Sequence, residues 1–143
     1  MRLAVLAVAG ALLLAACGGG GSSVPDELKS VCTQGASAAA ETIKVSSPES
    51  GAEVRSPLQV SGTVNVSQAQ FFFAIVGSDG THISDYPGHA SATGTPVPFQ
   101  ESVPFGVEEK TQACLWVSQA NETDPADAIR IPITLLPPLA SGQ

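Results

Sequence analysis

From Thr42 onward the sequence predicts an all-β fold, an antiparallel β-sandwich of about seven strands. Three observations predict it. Short apolar runs alternate with polar residues and are separated by clusters of Gly, Pro, Asn, Asp and Ser. There are 14 glycines and 11 prolines against only six lysines and arginines, which suits turns better than long helices. The turn signals recur at the spacing of a small sandwich, and the chain of 143 residues has room for one such core.

The strands are read in order. Thr42–Ser46 is the first, closed by Pro48, with Gly51 completing the turn. Pro57 opens the second, Leu58–Val64, in which Gly62 permits a bulge or a close backbone approach. Gln70–Val76 is the most apolar run and the natural interior strand. Ser78-Asp79-Gly80 then turns tightly into Thr81-His82-Ile83. An irregular stretch follows, with Tyr86 to Pro96 read as a long exposed loop, before Val97–Val103. Ala113–Ser118 and Ala128–Leu135 complete the set. Pro132 places the last strand at a sheet edge, because proline donates nothing to a ladder.

The chain begins differently. Met1-Arg2 precedes an unbroken small and apolar run, Leu3 to Ala16. It falls short of the ~20 residues needed to span a bilayer and has the length of a signal-peptide core. It ends in Leu14-Ala15-Ala16-Cys17, which resembles the bacterial lipobox. That resemblance implies cleavage after residue 16 and a diacylglyceryl group on the Cys17 sulfur. Each buried methylene contributes about 0.8 kcal/mol, so two or three acyl chains anchor firmly. Residues 17–41 then form a tether: Gly18 to Ser23 has nothing to build a core, and Val24–Cys32 looks briefly helical, with Ser23 as cap and Gly35 as stop. As a flexible coil its 24 residues after Cys17 span on the order of 25–30 Å, so the domain rides just above the lipid head groups. The expected localisation is exported and lipid-anchored, at the cell membrane or the outer membrane.

The sandwich region, 42–136, also resembles a known family. The carrying residues are Ser47-Pro48, Gly51, Ser56-Pro57-Leu58, Val60-Ser61-Gly62, the Asp79-Gly80 turn, Phe99 and Ile131-Pro132-Ile133. In that order they resemble the immunoglobulin-like domain of bacterial spore germination proteins. The resemblance implies an immunoglobulin-like sandwich used as an accessory module, and it carries no catalytic residues. Residues 137–143 remain as a C-terminal tail.

Of three cysteines, Cys17 is assigned to the lipid. Cys32 and Cys114 remain, an even number in an exported domain, which suggests a disulfide. Two separate thiols are the alternative. Metal binding by two distant cysteines lacks the histidine spacing that a zinc site needs, and no cofactor is expected.

Other constellations carry little. His82, Asp85 and His89 offer two imidazoles and a carboxylate, but in a segment read as a loop and at no metal-site spacing. Ser91 near His89 does not sit in a Gly-x-Ser-x-Gly elbow. Glu101, Glu108 and Glu109 are available as paired carboxylates, yet Glu108-Glu109 reads as a solvated turn. Phe71, Phe72 and Phe73 are the anomaly, since successive strand residues face opposite ways. Either the strand is covered on both sides, with the Cys32 segment as one cover, or the rings form an apolar contact patch.

The formal net charge is −7, and losing Arg2 with the leader makes the mature chain more acidic. Such a chain repels phosphate backbones and anionic head groups, which argues against nucleic acid and for a covalent membrane anchor. The expected function is a non-catalytic binding or assembly module touching an envelope protein or glycan. Ligand capture or protease inhibition through the Tyr86–Pro96 loop is the second expectation, and a small envelope hydrolase the remote third.

Overall fold

The computed structural model describes residues 24–33, 42–119, 125 and 128–140. The expected signal peptide, 1–16, and Cys17, Ser23 and Gly35 lie outside these residues. The described residues form eight strands: β1 (Ile43–Ser47), β2 (Glu53–Val54), β3 (Leu58–Val64), β4 (Gln70–Gly77), β5 (His82–His89), β6 (Val97–Val103), β7 (Thr111–Ser118) and β8 (Ile129–Leu135). They form a three-stranded sheet in the order β1-β3-β6 and a five-stranded sheet in the order β2-β8-β7-β4-β5. A 3-10 turn at Asp26–Leu28 runs into a one-turn helix, α1 (Lys29–Cys32).

The sandwich core lies between the sheets. Ile43, Val60, Val64, Phe99 and Val103 from one sheet meet Phe71, Phe73, Ile75, Leu115, Ile133 and Leu135 from the other. Phe71 stacks edge-on against Phe73 and Phe99, with ring centroids 5.2 and 5.1 Å apart. Gly88 roofs this cluster: a Cβ there would stand 2.7 Å from the Phe73 ring and 2.9 Å from that of Phe71.

The β1–β3 ladder shows why Gly62 is small. Its Cβ would fall 1.9 Å from the Lys44 carbonyl oxygen, and the register slips by one residue between Val45 and Ser47. The close approach expected at Gly62 is therefore real, and the bulge sits on the facing strand.

Three readings change. The segment expected to be irregular after Ile83 is strand through His89, paired with β4 from Gln70↔His89 to Val76↔His82. Only residues 90–96 leave the sheet, so the working loop expected from Tyr86 to Pro96 is shorter, and it is pinned where Gly94 donates to the Val66 carbonyl at 2.9 Å. Pro87 is tolerated because β5 is an edge strand. Ala90 N–H points to Ala69 on the β4 side, whereas His89 N–H points outward to a Glu101 carboxylate oxygen, 3.3 Å away. Pro87 shares the outward slot of His89, where no ladder donor is needed.

Pro132 follows the same rule one strand in from the opposite edge. Thr134 N–H donates outward to Ala52 at 2.9 Å, so position 132 also faces away from β7. Beyond β8 lies β2, the eighth strand, two residues long and parallel to β8 through Glu53↔Thr134 and Val54↔Leu135. The last strand is thus not itself the edge.

Candidate functional site

The face of the five-stranded sheet turned away from the core carries a second apolar cluster. β7 shows the division residue by residue: Ala113, Leu115 and Val117 enter the sandwich core, while Cys114 and Trp116 face outward and are also buried. What covers them is the segment that begins at Val24. Leu28, Val31 and Cys32, spaced i, i+3, i+4, put one stripe of the turn and helix against Val76, Cys114, Trp116 and Ala128. Pro25 precedes the first turn with φ −54°, and Asp26 and Glu27 occupy that turn. Their negative charge suits the positive helix end. The helix ends at Cys32, since Thr33 is extended and its hydroxyl donates back to the Lys29 carbonyl at 2.6 Å.

Three bonds fasten this segment. A disulfide joins Cys32 to Cys114, with S–S 2.06 Å and Cα atoms 5.5 Å apart. Trp116 Nε1 and Arg130 Nη1 each donate to the Val31 carbonyl at 2.8 Å. That carbonyl belongs to the last turn, where intrahelical partners run out. The Arg130 guanidinium also lies 4.2 Å from the Trp116 ring centroid and donates to the Pro125 carbonyl at 3.2 Å. The His82 ring meets Trp116 edge-on at 5.6 Å, and His82 Nδ1 stands 2.8 Å from Asp85 Oδ1.

Beside the covered area is an open cavity of about 310 Å³ whose lining includes Phe72, Asp85, Pro87, Trp116 and Ser118. It offers apolar contact and one carboxylate. This corrects the three-ring patch: Phe71 and Phe73 are buried in the core, and of the three rings only Phe72 is half-buried, at the lining of the cavity. The Cys32 segment covers β4 only at Ala74 and Val76.

The remaining candidates do not converge. His82 and Asp85 meet, but His89 stands seven residues along the same strand, about 20 Å away. Ser91 is exposed in the 90–96 loop, Glu101 lies on β6, and Glu108 and Glu109 are exposed before β7. Asp79 is a turn residue. It accepts from the Thr81 backbone N–H at 3.0 Å and the Thr81 hydroxyl at 2.9 Å, and these bonds hold its carboxyl below the ordinary aspartate range. Reading the sequence missed Arg130 and the Val31 carbonyl. The available signal was an arginine between two isoleucines in β8, in register with the single tryptophan: Trp116↔Arg130.

A two-sheet sandwich of this kind, with a segment fastened across one outer face, belongs to the immunoglobulin-like class. Residues 42–127 match the model of the family described as the immunoglobulin-like domain of bacterial spore germination, and the chain belongs to that family. The match ends before β8, so the resemblance read at Ile131-Pro132-Ile133 lies beyond the matched residues. No curated protein matches the chain. No solved structure matches it either.

Proposed function

We propose that this chain is an exported, lipid-anchored envelope protein whose immunoglobulin-like module acts by contact, not catalysis. Cys17 carries the lipid, and an envelope protein or glycan is the partner. The observation that carries the reading is the Cys32–Cys114 disulfide, buried within the second cluster. Bonds of this kind form and persist in oxidising compartments outside the cytosol. The Leu14-Ala15-Ala16-Cys17 pattern supplies the matching address, and membership of a family of immunoglobulin-like domains supports a contact role.

Labelling cells with an alkyne-bearing fatty acid tests the anchor. Native chain is expected to take up label and to sediment with membranes, and Cys17→Ala to do neither. A Cys17→Ala chain still held by the membrane overturns the anchoring. Crosslinking of the native lipoprotein in cells tests the contact role, with a recurrent envelope protein or glycan adduct expected.

A further inference from the structure

We infer that the Cys32–Cys114 staple, and not the start of β1, is the point where the tether meets the domain, so that it limits how far the sandwich stands from the bilayer. The inference rests on the lipid attachment proposed for Cys17. The N-terminal segment is fixed to the sheet before the chain ever reaches β1: Leu28 is fully buried, Val31 accepts from Trp116 and Arg130, and Cys32 is bonded to β7. Only the seven residue steps from Cys17 to Val24 remain as connection. Whatever their conformation, they span no more than ~25 Å. Counted to Ile43, the same chain would reach ~90 Å. The residues that follow Thr33 add nothing to that reach, because they come after the fixed segment in the chain.

The staple is durable as well as short. Cys32 is 1% exposed and Cys114 0% exposed, so a reductant in solution has no direct access to either sulfur. The N-terminal segment on the outer face of the five-stranded sheet is therefore the part of the domain kept within ~25 Å of the lipid-bearing residue.

Trp116 is the only tryptophan of the chain and lies directly beneath the staple, which makes it the donor for a distance measurement. The mature lipidated protein is placed in phosphatidylcholine vesicles carrying a dansyl-labelled lipid head group, and energy transfer from Trp116 is read. A 60-residue Gly/Ser insert after Gly20 is expected to lower transfer severalfold. The same insert after Gly35 is expected to leave transfer unchanged. Equal losses from both inserts, or no loss from the first, overturn the inference. Vesicle flotation separates the two readings. A chain that does not float overturns the anchoring and this inference together, whereas a floating chain with position-independent loss overturns this inference alone.

Discussion

Trp116 and Arg130 face each other across the β7–β8 ladder and donate to one acceptor, the carbonyl of Val31, each at 2.8 Å. The indole also serves as the surface on which the guanidinium rests, at 4.2 Å. One pair of side chains thus closes the end of α1, satisfies a buried indole N–H and fills the space beneath the N-terminal segment.

That sharing predicts non-additivity. Trp116→Phe keeps a ring and removes one donor, and is expected to cost about 1 kcal/mol. Arg130→Ala removes a charge-assisted bond and the cation–ring contact, and is expected to cost roughly 2–3 kcal/mol. The double variant, measured by urea denaturation, should lose more than the sum, because each donor partly compensates for loss of the other at Val31 and only the double variant leaves that carbonyl without either. Strict additivity would show that the two bonds act independently.

The staple closes a span of 82 residues. On the chain-entropy account, a loop of that size contributes roughly 4 kcal/mol by restricting the unfolded chain. The Cys32→Ser, Cys114→Ser double variant should therefore unfold at distinctly lower denaturant with the fold retained, as read by circular dichroism. A midpoint unchanged from the native chain would contradict this.

Neighbouring phenylalanines should differ sharply. Phe71→Ala empties part of the core and is expected to cost about 3–5 kcal/mol, whereas Phe72→Ala, at a half-open cavity, should cost about 1 kcal/mol. Comparable losses at both positions would mean that the outer face is packed as tightly as the core.

Gly62 tests the β1–β3 approach. Gly62→Ala directs a methyl onto the Lys44 carbonyl, a backbone atom that moves only with its strand, and should cost roughly 1–3 kcal/mol. Gly80 is instructive beside it: its φ of +83° suits glycine, yet open space surrounds the missing Cβ, so an alanine there strains the turn without a clash.

Asp79 gives a pH signature. Its folded-state carboxyl is held low by the Thr81 backbone bond first and the Thr81 hydroxyl second. A lowered acid contributes stability that is fully present above the ordinary aspartate range and is lost as pH falls through the lower folded value. Nuclear magnetic resonance titration should find Asp79 among the most acidic side chains, and Asp79→Asn should flatten that acid-side slope.

Much of this architecture is written locally. The alternation in Leu58–Val64 and Val97–Val103 fixes which side chains enter the core, and Pro48 and Pro57 bracket the turns. β5 was hidden because Pro87-Gly88 has the composition of a loop. The proline fits only through its edge position, and the glycine only because two rings pass beneath it. β2 is invisible to periodicity at two residues, since its partner β8 lies some 80 residues away in sequence. At the candidate site, cysteine parity announced the staple. The meeting of Trp116, Arg130 and Val31 depends on strand register and on where a short helix lands, which no local pattern encodes. Phe72 was separable from its neighbours only once the covered area was seen to stop at Ala74.

The attachment of the staple to β7 also decides how the molecule bears load. β1 is an edge strand, hydrogen-bonded to β3 alone among the described strands, and a pull on its end would peel that ladder one bond at a time. A pull on the chain ahead of Val24 instead passes through a covalent bond into β7, which β4 and β8 grip from both sides. A load of that kind then falls on the best-supported strand of the sandwich, and its most easily unzipped strand carries none.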